Sequence, residues 1–215
     1  MAKKKINKTV YVVGPAVNYA RFIKDAILVD NIEDAAIVLF TGGEDVSPKL
    51  YGRERLDCTY SNIERDKKEM AIFKKVQPSQ ICVGICRGSQ FLCVMNGGVL
   101  VQDVDNHGLF GTHPIITAKN EIYEITSTHH QMQYPFNLPD KDYDLIAVSD
   151  RRSSVYLGIE DNEIDALFKH GEPEVVLYHK ENCPKCLAIQ GHPEMMRENA
   201  PVVEWINALI SKLLK

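Results

Sequence analysis

The chain has 215 residues, of which 45% are hydrophobic and 25% charged, with a formal net charge of -4. This length and balance fit one globular domain over residues 1–215, large enough for a well-buried core and too short for two generous ones. A net negative chain lacks the basic surface that phosphate contacts require, which argues against nucleic acid as the main partner.

The basic run Lys3-Lys4-Lys5 reads as a solvated tail. No apolar h-region or small-residue cleavage site follows it, and nothing approaches the roughly 18 apolar residues of a membrane span. A cytoplasmic protein with no membrane partner is therefore expected. In that reducing setting the six cysteines are read as core thiols, catalysts or ligands before disulfides.

In chain order, "VYVVG" (10–14) predicts a buried strand ended by Gly14-Pro15. "YARFIKDA" predicts a short helix and "ILV" a brief strand. "AAIVLFTGGEDVSP" is a strand running into Gly42-Gly43 and a polar loop. Residues 65–76 carry apolar side chains at helical spacing, "QICVGI" is a buried strand, and "RGSQFLCVMNGG" is a helix stopped by Gly97-Gly98. Alternating strands and helices imply an α/β fold with a mostly parallel sheet covered on both faces. The second half is richer in strands: "EIYEITST", "YDLIAVS", "VVLYHK" and "LAIQGH" precede a closing helix, "VVEWINALISKLL".

Within "ICVGICRGSQ", Cys86 is framed by Gly84 and Gly88. A strand that turns sharply into a helix presents one side chain at the sheet's carboxyl end, and small residues two positions either side relieve the crowding. The helix N-terminus there favours a thiolate, and its free N–H groups, beginning with Arg87, can stabilise an oxyanion. Cys82 and Cys93 read as buried core residues instead. A base is offered by "LAIQGHPEM": His192 and Glu194, two apart on an expected extended segment, point to one face, with Pro193 blocking helix. A carboxylate beside an imidazole fixes its tautomer and stabilises the cation formed on taking a thiol proton.

Together "TGGEDVSPKLYG", "GICRGSQ", "HHQ" and "IQGHPE" resemble the signature of class I glutamine amidotransferases, and most closely their gamma-glutamyl hydrolase (peptidase C26) branch. The resemblance implies a three-layer, flavodoxin-like α/β fold. It implies a triad of Cys86 as nucleophile, His192 as general base and acid, and Glu194 as orienter. It also implies an oxyanion hole from the backbone N–H groups of Gly43 and Arg87, a glutamyl-binding role for Gln90, and a substrate-pocket loop containing His130 and Gln131. Thiolate attack on a gamma-carboxamide would give a glutamyl thioester, which water resolves to glutamate; no metal or other cofactor is expected. Gly191 departs from the family pattern, where a bulky residue often stands, and predicts a wider pocket or a looser His192.

Cys183-Pro-Lys-Cys186 has zinc-knuckle spacing but no second C-x-x-C. It is read as a tight turn between strands, with the pair a weak metal candidate. His107 and His113, in "VDNHGLFGTHP", lie near the site or merely in a loop. The expected substrate is glutamine or another small gamma-glutamyl amide. Only about one helix follows Glu194, so any ammonia acceptor is expected on a separate synthase subunit. The alternatives are a catalytically retired binding or regulatory module on the same fold, against which the intact triad argues, and an intracellular-protease-like hydrolase, against which "GHPE" weighs.

Overall fold

The computed structural model describes residues 8–14, 16–108 and 111–215. The Lys3–Lys5 run and Pro15 lie outside them, as do two residues of the segment joining His107 to His113. The strands are β1 (Thr9–Val13), β2 (Ile27–Leu28), β3 (Ile37–Phe40), β4 (Ile81–Ile85), β5 (Val99–Val101), β6 (Asp103–Val104), β7 (Gly111–Thr117), β8 (Ile122–Ser127), β9 (Met132–Tyr134), β10 (Tyr143–Ser149), β11 (Tyr156–Leu157), β12 (Pro173–Tyr178) and β13 (Lys185–Ile189). The helices are α1 (Ile63–Phe73), α2 (Arg87–Met95), α3 (Asp161–His170) and α4 (Pro201–Leu213).

Nine strands form one sheet in the order β2-β1-β3-β4-β13-β12-β10-β7-β8. The run from β2 to β13 is parallel, and the strands beyond it join antiparallel. The expected α/β class holds, and strands buried on both sides explain why β3 and β4 read as continuous apolar runs. Alternation along β3 sends Ile37 and Leu39 to one face, where Val202, Ile206 and Ile210 of α4 cover them. Val38 and Phe40 go to the other face, under Phe73 of α1 and Phe91 and Leu92 of α2.

Several elements depart from expectation, the short strands β5, β6, β9 and β11 among them. "YARFIKDA" forms a 3-10 segment, Val17–Phe22, instead of an α-helix. β7 has no clear strand signal, because Pro114 interrupts its pattern. Pro114 is accommodated in register with Glu124 of β8. α3 is similarly silent in the sequence, being mostly polar with only Leu167 buried. A reciprocal capping box between Glu160 and Glu163 starts it. Leu167 joins Val101, Val104, Met132 and Tyr134 in a third apolar cluster, which packs α3 over β5, β6 and β9.

The β4–α2 junction is the tightest point of the fold. A Cβ on Gly84 would lie 2.5 Å from the Gly88 carbonyl oxygen, and one on Gly88 would lie 2.1 Å from the Phe40 oxygen. Both contacts are with backbone, which cannot swing aside. Gly88→Ala is therefore expected to lower unfolding stability by roughly 3 kcal/mol, as steric strain at a packed site does. Urea denaturation checks this; a midpoint equal to wild type would show that α2 can shift freely.

Candidate active site

Cys86 stands between β4 and α2 with φ 51° and ψ -112°. A non-glycine residue in this region costs about 1–3 kcal/mol and persists only where the surroundings over-determine it. Here the Cys86 N–H donates to the Ile189 carbonyl of β13 at 2.9 Å. Its own carbonyl accepts from the Ser89 N–H at 3.0 Å and the Ser89 hydroxyl at 2.7 Å. The residue is 8% exposed, packed against the apolar core on one side and lining a cavity on the other. Cys82 and Cys93 are fully buried as expected. Burial drives the Cys82 thiol well up, with Cys186 adding to it, and pushes the Cys93 thiol to about 12, so both stay protonated and inert.

His192 and Glu194 meet Cys86, though not by strand alternation. β13 ends at Ile189, and Pro193–Met195 forms a 3-10 turn with Pro193 at its first position. The expected extended segment is thus corrected to a tight turn, which brings His192 Nδ1 to 2.7 Å from Glu194 Oε1. Nε2 lies 2.8 Å from Thr128 Oγ1. Burial opposes the charged imidazole. Hydrogen bonding to Cys86 and Glu194, with their charges, outweighs it and raises the His192 pKa from 6.5 to about 10. Gly191 neither widens the pocket nor loosens this histidine. The place of a Cβ there is filled by Ile125, whose Cδ1 would lie 2.8 Å away, and the His192 N–H donates to the Thr126 carbonyl at 2.8 Å.

Opposite the thiol, Gly43 has φ 140°, a conformation glycine adopts readily. A Cβ there would strike Arg65 Nη1 at 2.2 Å. Arg65 holds this loop from below: Nη2 donates to the Gly42 carbonyl at 2.9 Å, Nη1 to Glu44 at 2.7 Å, and Nε to Glu69 at 2.8 Å. The Arg87 side chain is 1% exposed and pairs with Asp66 and Glu69 of α1. Its N–H is the first of α2, which has no partner within the helix.

These groups converge on a cavity of about 200 Å³ lined by Gly43, Glu44, Asp45, Tyr60, Cys86, Arg87, Gln90, Thr128, His129, His130 and Gln131. All the expected oxyanion and pocket residues are therefore brought together. Gln90 donates from Nε2 to the Gln131 carbonyl at 2.8 Å, and the Gln131 amide turns away to Thr59 at 3.2 Å. His130 bridges Asp45 and Asp103 at 3.1 Å each, and hydrogen bonding to Asp45 leads in raising its pKa. Thr128, Glu44, Asp45 and Tyr60 escape a reading of the sequence, which carries no spacing signal for them. Cys183 and Cys186 lie outside this lining. Cys186 is buried in the sheet opposite Cys82, and Cys183 sits half-buried in a turn. A larger groove of about 950 Å³, lined by Val17, Lys24, Glu204 and Asn207 among others, contains none of the predicted residues.

The fold is of the class I glutamine amidotransferase type. A protein from Thermoplasma acidophilum, assigned as a component of GMP synthase, superposes with a TM-score of 0.60 at 17% identity, over 97% of this chain and 94% of that one. A glutamine amidotransferase from Thermotoga maritima gives a TM-score of 0.52 at 14% identity, covering 97% of this chain and 95% of that one. The chain belongs to the peptidase C26 family, whose family model matches residues 22–194. The glutamine amidotransferase-like protein YvdE of Lactococcus lactis is 30% identical over 160 residues, 64% of this chain and 65% of the relative. Just under two thirds of that relative's length is thus matched. Among the described residues no helix is long and apolar enough to cross a membrane.

Because the folded value of His192 lies above its usual 6.5, the folded chain binds an extra proton between pH 6.5 and about 10. The associated stabilisation is complete below pH 6.5 and is lost as pH rises through about 10. In Glu194→Gln the His192 titration, followed by NMR, is expected to fall toward the ordinary histidine value. Stability, followed by urea midpoints, should then decline less across that pH window than in the wild type. An unmoved titration would show that Glu194 does not hold the imidazolium.

Proposed function

We propose that the chain is a cysteine-dependent amidase that hydrolyses the gamma-amide of glutamine or of another small gamma-glutamyl compound. The observation that carries this reading is the pairing of His192 with Glu194 beside Cys86, which itself lines one small cavity with Gly43 and Arg87. Membership of a glutamine amidotransferase-like family supports it.

The proton shared by Cys86 and His192 lies on the imidazole, oriented by Glu194, and the Cys86 sulfur attacks the gamma-carbonyl carbon. The N–H groups of Gly43 and Arg87 receive the oxyanion. The C–S bond forms and the C–N bond breaks as His192 returns its proton to the leaving amine or ammonia. A water molecule then loses a proton to His192 and attacks the thioester carbon, the C–S bond breaks, and glutamate leaves as the thiol is restored. The half-exposed His130, drawn toward its protonated form chiefly by Asp45, and the carboxylates of Glu44 and Asp45 stand at the pocket mouth, which suits a zwitterionic glutamyl head, and Gln90 lies at its wall. Two uses of this chemistry fit: a free-standing gamma-glutamyl hydrolase, or a glutaminase delivering ammonia to a separate synthase protein. PurLQS from Thermotoga maritima and the GMP synthase component are both neighbours in fold, which makes the second use worth testing beside the first.

Purified protein is expected to release ammonia from glutamine or amine from a gamma-glutamyl amide. Cys86→Ala should lower that rate by roughly 10³-fold or more, as loss of a covalent nucleophile does. Turnover by Cys86→Ala at the wild-type rate would overturn the mechanism. Glutamine turnover that is slow alone and rises sharply with a co-purifying protein would select the synthase-coupled use over the hydrolase.

A further inference from the structure

Behind the substrate pocket, three histidines and a glutamate meet away from the surface. His107 lies after β6, His113 on β7, His129 after β8 and Glu174 on β12. Their exposures are 0%, 0%, 3% and 1%. His113 Nε2 lies 3.3 Å from Glu174 Oε1, and His107 Nδ1 and His129 Nε2 each lie 3.6 Å from it. One donor atom from each of the four residues falls within 4.8 Å of all the others.

The outward side of each ring is satisfied while the inward side is not. His107 Nε2 meets Glu172 Oε2 at 2.6 Å, and Glu172 Oε1 accepts from the Ser153 N–H at 2.6 Å and the Tyr156 hydroxyl at 2.5 Å. His113 Nδ1 donates to the Pro114 carbonyl at 3.1 Å, with Ser149 Oγ at 3.3 Å. His129 Nδ1 donates to the Gln131 carbonyl at 2.9 Å. Carbonyls and carboxylates only accept, so each ring carries its proton outward and turns a lone pair inward. Among the described residues, His107 Nδ1, His113 Nε2, His129 Nε2 and Glu174 Oε2 have no hydrogen-bond partner. Buried polar atoms without partners are rare and costly, and three ring lone pairs converging on Glu174 Oε1 are repelled by its charge. One added proton can serve only one of the three rings. A cation serves all of them.

We propose that His107, His113, His129 and Glu174 form a closed site for one divalent transition-metal ion of the zinc class. Three imidazoles and a carboxylate are a donor set such ions take, at metal–ligand distances of about 2.0–2.2 Å. Ligands on a tetrahedron of that radius stand about 3.3–3.5 Å apart, which the His–Glu174 separations approach and which exceeds the 2.7–2.9 Å or so of a charge-assisted hydrogen bond. The outward bonds supply the outer shell that orients ligating histidines. All four positions come from the protein, so the ion is structural. It ties the 128–131 pocket loop to β7 and β12.

The test uses the full chain, purified without a polyhistidine tag or chelator, with metal content read by plasma emission and cobalt(II) as the probe after chelation. About one zinc-class ion per chain is expected. His113→Gln and Glu174→Gln should each lose most of it, and Cys183→Ser should retain it. Since those variants can misfold, the chelated wild type is also titrated with cobalt(II). Intense visible bands of a tetrahedral site, without thiolate charge transfer, are expected. Wild type that stays folded by circular dichroism yet takes up neither zinc nor cobalt would overturn the proposal. So would a thiolate band, or full metal content in folded His113→Gln.

Discussion

The fold's most demanding constraint is one desolvated charge. Arg87 begins α2 immediately after the thiol residue, and its guanidinium is buried with Asp66 and Glu69 from α1 and lies 5.2 Å from the Phe91 ring centroid. A buried guanidinium is tolerable only with its carboxylates in place, and removing one partner typically costs about 3–5 kcal/mol. The elbow and α1 are thereby locked together. Glu69 also receives Arg65, which grips the carbonyl of Gly42, while Asp66 accepts the Ser47 N–H at 3.0 Å. A single ionic network therefore sets the distance between the thiol and the glycine loop that faces it. Such an arrangement is weak evidence for stability and good evidence for fixed geometry, because each charge has one acceptable position.

This network also marks a limit of what the sequence makes legible. The apolar runs of β3, β4 and α4 and the glycine pair around Cys86 disclose the parallel core and its elbow, since burial and backbone crowding leave compositional traces. Four short motifs then disclose the expected triad and the glycine loop. The inward carboxylates of α1 leave no such trace: Asp66 and Glu69 look like the polar face of an amphipathic helix until Arg87 is seen opposite. Thr128 is hidden for a related reason, since its contact with His192 joins residues from a loop and a turn that only the sheet brings together. His192 and Glu194 do share one face, but by a different route from strand alternation, because a proline permits both the extended segment expected and the first position of the 3-10 turn observed.

The histidine cluster is hidden most completely. His107 and His113 stand in a polar, glycine-containing stretch that resembles a surface loop, and Glu174 sits in a strand whose other residues are apolar. The antiparallel extension of the sheet gathers them, and that part of the fold carries the weakest local signals. Once gathered, they border the pocket through His129, which lines it, and through the Gln131 carbonyl. The Gln131 carbonyl accepts both His129 Nδ1–H at 2.9 Å and Gln90 Nε2–H at 2.8 Å. The Gln190 N–H, two residues before His192, donates to the Glu174 carbonyl at 2.8 Å. The cluster therefore borders the proposed glutamyl contact on one side and the proposed base on the other. Whatever fixes the four inward-facing donors also fixes the pocket loop, and a loop carrying Thr128, His130 and Gln131 needs such anchoring. A shift of 1 Å or so at a reacting group is enough to slow chemistry markedly.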